Sequence, residues 1–155
     1  VWIDADTLIM RPELKLFEEV ISQSDKWLHV SKDLGKGLTE YNTGVIIFQN
    51  TPWVQEFLEE WDQFAIEHQP QALWDHGSDQ KTFCDLLLEK DPQLDHHQVY
   101  DIQIFNCEPR LINEKTFLIH FMNYPRGYKI PWMNYWNVEH LDFNEEDYRP
   151  KIQKL

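Results

Sequence analysis

Two aspartates, Asp4 and Asp6, close the short apolar run Val1-Trp2-Ile3, with only Ala5 between them. Carboxylates two apart on an extended chain face the same way, and once the chain turns both can approach one cation. Oxygen ligands suit Mg²⁺ or Mn²⁺, and in a parallel sheet such a site lies outside the carboxyl end of a strand. The same pair also bends a turn or caps a helix, so other residues must decide between the two readings. His120 ends a second apolar run and is either a ligand or a hydrogen-bonded core imidazole. Asp79, near the start of a helical stretch, also suits the positive end of the helix dipole. Lys129 is by default a solvated ammonium. Asp75-His76 reads as loop, and His96-His97 as an exposed pair in a polar turn. Trp132, Tyr135 and Trp136 either stack on a sugar or pack against a sheet.

These groups need strands and helices to hold them. Val1-Trp2-Ile3 reads as a buried strand, residues 27–30 as another, and 31–40, with Gly35 and Gly37 among charges, as a loop. Residues 41–49 carry the unbroken run Val45-Ile46-Ile47-Phe48 expected of a strand buried on both faces. Leu14, Phe17, Val20 and Ile21 recur at helical spacing after Pro12. Thr51-Pro52 pairs a capping hydroxyl with proline at the first helical position. Trp53, Phe57, Leu58, Trp61, Phe64 and Ala65 then form one apolar stripe, which reads as core. Residues 70–76 read as loop. Ser78 can cap a helix running to about residue 89, with Phe83, Leu86 and Leu87 inward and Cys84 as a small core residue. Strands are expected over 99–105 and 117–121. Residues from 123 read as irregular and aromatic, and 141–155 as a charged tail. Strands alternating with helices predict an α/β architecture with a mixed, mostly parallel sheet.

Composition narrows the partners. The 155 residues are 42% hydrophobic and 14% aromatic, enough for a packed core. A net charge of −13 argues against nucleic acid or an anionic membrane surface as the main partner. No apolar run reaches the roughly 18–20 residues of a membrane span. Cys84 and Cys107 leave the redox compartment open, and nothing in the sequence assigns a location.

Four blocks in order carry a family resemblance. Val1-Trp2-Ile3-Asp4-Ala5-Asp6-Thr7-Leu8-Ile9 resembles the strand and D-x-D motif of glycosyltransferases with the GT-A (Rossmann-like) fold. Tyr41-Asn42-Thr43-Gly44-Val45-Ile46-Ile47-Phe48, with the helix behind it, resembles their N-[TAS]-G-V block. Gly77-Ser78-Asp79-Gln80 resembles their D-Q motif, and Ile119-His120-Phe121 with Gly127, Lys129 and Pro131-Trp132 their closing block. The spacing is most similar to the galactosyl/xylosyltransferase family of fungal α-1,2-galactosyltransferases and plant xyloglucan xylosyltransferases, and next to the glycogenin-type family. In the glycogenin pattern Gly and Lys follow His more tightly; here Met122 to Arg126 intervene and Ile130 separates Lys129 from Pro131.

The resemblance implies a retaining transferase that passes a sugar from a nucleotide-sugar donor to a saccharide or glycoconjugate acceptor. It implies that Asp6 and His120 hold Mn²⁺ or Mg²⁺, with Asp4 bridging to the metal or the donor ribose. Lys129, with Gly127, would neutralise the pyrophosphate. Asp79 would lie near the anomeric carbon with Gln80 beside it. Asn42 and Thr43 would contact sugar hydroxyls, and Gly44 would let backbone approach closely. Asp75 and Trp132 are acceptor candidates. It also implies that residues 1–140 are the C-terminal catalytic portion of such a domain, lacking the nucleoside-binding βαβ units that precede the D-x-D strand.

Rival readings are open at this stage. A haloacid-dehalogenase-type phosphohydrolase also opens on strand-D-x-D, but its Thr follows two residues after the second Asp, whereas Thr7 follows at once. A noncatalytic carbohydrate-binding module would be mostly β, against two firm helices. A catalytically inactive transferase homologue is the third alternative.

Overall fold

The computed structural model of the chain describes residues 1–11, 15, 16, 18, 21–33, 40–72, 78–122, 129 and 133. At its centre lies the strand Tyr41–Phe48, β4 in a chain order whose earlier strands are β1 (Trp2–Ile3), β2 (Thr7–Ile9) and β3 (Leu28–Lys32). Its β-branched run favours extended backbone. Both faces are covered, because Ile46 joins one apolar cluster while Val45 and Ile47 join another. β1 pairs along one side of β4 and β3 along the other, and β5 (His97–Tyr100) extends the sheet to the order β1-β4-β3-β5. β1 is an edge strand, with Val1, Trp2 and Ile3 exposed. A second, two-stranded sheet joins β2 to β6 (Leu118–His120).

The β1/β4, β3/β4 and β2/β6 pairs are antiparallel, and β3/β5 is parallel. The sheet is therefore mixed but, among the described residues, not mostly parallel as predicted. Eight residues separate β3 from β4, fewer than the dozen or so a parallel crossover needs, so these neighbours must run in opposite directions. Their ladder also slips. From His29↔Ile47 to Ser31↔Asn42, β3 advances two residues while β4 advances five. At that irregularity β4 turns to β1, where Ile46 and Val45 face Trp2 and Ile3 and the Gly44 carbonyl accepts from the Asp4 N–H at 2.8 Å.

Helix α1 (Pro52–Ala72) starts as its sequence dictates, with Thr51 Oγ1 accepting from the Val54 N–H at 3.3 Å. It runs through Pro70, past the predicted start of the loop at residue 70. Its apolar stripe meets α2 (Ser78–Lys90). Phe57 and Trp61 set their rings edge-on to Phe83, with centroids 5.4 and 5.0 Å away, and Trp61 Nε1 donates to Thr82 Oγ1 at 3.1 Å. Burying a side chain such as Phe57 contributes about 2–3 kcal/mol. Cys84 and Cys107 are buried and free. Among the described residues no helix is long and apolar enough to cross a membrane.

Two other expectations change. The predicted strand over 99–105 ends at Tyr100, and Ile102–Phe105 forms the one-turn helix α3. Asp101 caps it by accepting from the Gln103 N–H at 3.0 Å, which overrides the β preference of the apolar run. His97 is not exposed but 1% accessible, with Nδ1 2.7 Å from Asp91. Asp91 also accepts from the backbone N–H groups of Asp95, His96 and His97 at 2.8–2.9 Å, and the His96 ring stacks on Trp53. A buried carboxylate organises the turn that the sequence presents as merely polar. Residues 141–155, like Leu14, Phe17 and Val20 of the predicted first helix, lie outside the described residues; Leu16 and Ile21 are buried.

Candidate metal centre

Asp4, Asp6 and His120 come from three places. Asp4 follows β1, Asp6 sits in the turn into β2, and His120 ends β6. The β2/β6 register joins them, since Thr7 lies opposite His120 and the Phe121 N–H donates to the Asp6 carbonyl at 2.9 Å. Thr7 tightens the turn by donating its hydroxyl to the Asp4 carbonyl at 2.8 Å. One ligand atom from each of the three residues lies within 4.8 Å of the others. His120 Nε2 is 3.2 Å from Asp6 Oδ1 and 3.5 Å from Asp4 Oδ2. The imidazole is buried and both carboxylates are partly open.

The local fields are uneven. Burial, with the nearby Asp6 and Asp79 charges, pushes the Asp4 carboxyl up. Burial also opposes ionisation of Asp6, but the Lys129 ammonium bonded to its Oδ2 and the His120 ring outweigh it and hold that carboxyl below its usual range. Burial lowers the His120 pKa despite the two carboxylates, which favours the neutral ring that can serve as a ligand. Trp2 Nε1 donates to Asp4 Oδ1 at 3.1 Å.

The remaining predicted residues divide. Lys129 reaches the cluster through Asp6. Asp79 is exposed in the first turn of α2, and its charge is felt at Asp4. Gln80 accepts from the Thr43 N–H at 3.2 Å and donates to Asp33 at 3.1 Å, tying α2 to β4. Thr43 and Asn42 are 6% and 4% exposed, so little of either side chain reaches solvent. Gly44 is close to His120: a Cβ there would meet the ring at 2.0 Å. The close approach it permits is to an imidazole. Gly127, Asp75 and Trp132 lie outside the described residues.

Asn106 is the site residue that sequence reasoning missed. Its oxygen is 2.8 Å from His120 Nδ1, while its amide nitrogen donates to Ser31 Oγ at 2.8 Å and to Asn42 Oδ1. The sequence hint is faint: a carboxamide within the short stretch Ile104-Phe105-Asn106-Cys107, whose other residues are apolar.

The residues fit a divalent ion. Two carboxylates and a neutral imidazole nitrogen converge, a mixed donor set that suits Mn²⁺ better than the all-oxygen preference of Mg²⁺.

No protein-family model matches the chain, and no curated protein matches it at a significant level. Among solved structures, a glycosyltransferase involved in the glycosylation of the major capsid of PBCV-1 is similar, with a TM-score of 0.54 and 18% identity. The likeness covers 86% of this chain and 65% of that one, so the chain spans slightly less than two thirds of its length. At this identity the comparison shows the fold: a mixed α/β arrangement of the kind a glycosyltransferase has.

Proposed function

We propose that the chain carries the metal- and sugar-handling part of a retaining glycosyltransferase of the GT-A type. It moves a hexosyl or pentosyl unit from a nucleoside-diphosphate sugar, with UDP as the expected nucleotide, to a saccharide or glycoconjugate acceptor. The observation that carries this reading is the convergence of Asp4, Asp6 and His120 with Lys129 beside them, on a fold shared with a glycosyltransferase.

Sugar departure leaves negative charge on a diphosphate, and an ion held by Asp4, Asp6 and His120 would neutralise it. Lys129 adds a second positive charge at the same place, with Gly127 alongside in sequence. Asp79, exposed at the start of α2, supplies negative charge for the cationic anomeric centre, and Gln80 holds α2 against β4 so that Asp79 keeps its place. By the sequence resemblance alone, Thr43 would contact the donor sugar, and Asp75 and Trp132, outside the described residues, would contact the acceptor. Departure and attack on one face require no separate general-base pair.

Calorimetric titration with UDP, with and without Mn²⁺, tests the reading on the wild type and on Asp6→Ala, alongside consumption of labelled UDP-sugars. Binding that needs both Mn²⁺ and Asp6 supports it. Binding indifferent to both overturns the metal centre, and binding without turnover of any UDP-sugar favours the inactive-homologue alternative.

A further inference from the structure

The donor that fixes the metal ligand is a backbone N–H on a strand 76 residues away in sequence. The Gly44 N–H can only donate, and it meets one end of the Asn42 carboxamide at 2.8 Å, so that end is the oxygen. The Asn106 group facing this same oxygen must then be the amide nitrogen, which also donates to Ser31 Oγ at 2.8 Å. The other end of Asn106, 2.8 Å from His120 Nδ1, is therefore an oxygen, and Nδ1 must carry the proton. A neutral ring then has its lone pair on Nε2, facing Asp6 at 3.2 Å and Asp4 at 3.5 Å. Three acceptors meet with no hydrogen between them, an arrangement that a cation relieves.

We propose that Asn106 is a positioning residue that sets the tautomer of His120, and that Asn42 serves as the relay from the strand backbone to Asn106 rather than as a sugar contact. Asn42 is 4% exposed, its oxygen accepts twice and its nitrogen donates to Met122 Sδ at 3.4 Å. Its oxygen is fully engaged, and in a side chain this buried only one amide hydrogen is left without a named partner. Orienting groups of this kind hold a ligating imidazole in one ring position and raise its basicity, and their loss typically lowers metal affinity about 10- to 100-fold. The inference rests on the metal-centre reading for its consequence, but its first claim concerns the metal-free protein.

Long-range proton–nitrogen NMR on the metal-free chain at pH 9 shows which nitrogen of His120 holds the proton. The wild type is expected to protonate Nδ1 alone. Asn106→Leu removes the acceptor and is expected to lose that preference and to bind Mn²⁺ about 10- to 100-fold more weakly. Asn106→Asp keeps an oxygen toward Nδ1 and is expected to retain the Nδ1 proton, which guards against Asn106→Leu failing to fold. A proton on Nε2 in the wild type, alone or beside one on Nδ1, overturns the proposal. So does an unchanged Nδ1 preference in Asn106→Leu, or its loss in a folded Asn106→Asp. If the wild type shows the Nδ1 proton yet binds no Mn²⁺, the metal-centre reading fails and the tautomer assignment stands.

Discussion

The Lys129 ammonium donates to Oδ2 of Asp6, the same carboxylate whose other oxygen lies 3.2 Å from His120. A cation supplied by the chain thus sits on one of the three groups proposed to hold a divalent ion. The pair is partly exposed, so it is worth little as a stabilising bridge. Its consequence is competition: an ion that takes up Asp6 must share it with, or displace, Lys129.

Lys129→Met should therefore separate two effects that are usually lost together. Affinity for Mn²⁺ alone is expected to rise by roughly tenfold, because a competing positive charge is gone. Affinity for the Mn²⁺–UDP pair is expected to fall, because the diphosphate loses a partner. Calorimetry with the ion alone and with the pair measures both. A fall in both would mean that Lys129 organises Asp6 rather than competing for it.

Gly44→Ala should disturb His120 without touching a charged group. The added Cβ would lie 2.0 Å from Cε1 and 2.3 Å from Nδ1. The ring cannot yield easily, being buried, hydrogen-bonded to Asn106 and carried on a paired strand. Overpacking of this kind costs about 1–3 kcal/mol. Denaturant unfolding is expected to show that loss, with Mn²⁺ affinity reduced at least tenfold; an unchanged midpoint would contradict the placement of His120.

Acid should destabilise the fold in two stages through the Asp91–His97 pair. His97 is buried, which lowers its pKa from the ordinary 6.5 despite Asp91, so the unfolded chain takes up the proton first. Stability is then lost as pH falls below about 6.5. Burial alone would raise the Asp91 pKa, but hydrogen bonds from His97, His96 and Asp95 outweigh it and bring it to about 2 from 3.8. Its contribution, on the order of 2 kcal/mol, is present above pH 3.8 and disappears as pH approaches 2. Asp91→Ala should cost about 2–4 kcal/mol, since three backbone N–H groups lose their acceptor, and should flatten the lower stage of the profile. Urea midpoints measured from pH 8 to pH 2 check both claims.

Both thiols should be unreactive until the chain unfolds. Burial pushes the Cys84 thiol up to about 11 and the Cys107 thiol to about 12. Since the thiolate is the reacting form, iodoacetamide at pH 8 is expected to label the native chain at least about 100-fold more slowly than the urea-unfolded chain. Rapid labelling of either cysteine in the native state would contradict its burial.

Local chemistry determined much of this protein from sequence alone. A cap followed by proline started α1, a stripe at helical spacing built its core face, and an unbroken β-branched run made β4 the strand with two covered faces. The D-x-D pair was legible because both carboxylates lie in three consecutive residues. Strand direction was not, because it depends on connection length and on which neighbours pair; neither was the slip that turns β4 from β3 to β1. The same holds for His97, which looked exposed until Asp91, six residues away, folded back on it. The resemblance put Asp6 and His120 at one site, but only the tertiary structure decided that Asn106 and Gly44 lie against His120. The contacts of about 3 Å that His120 makes with Asp6 and Asn106 join residues 114 and 14 positions apart in sequence, and a lone histidine or asparagine carries no local mark of the partner that folding will bring.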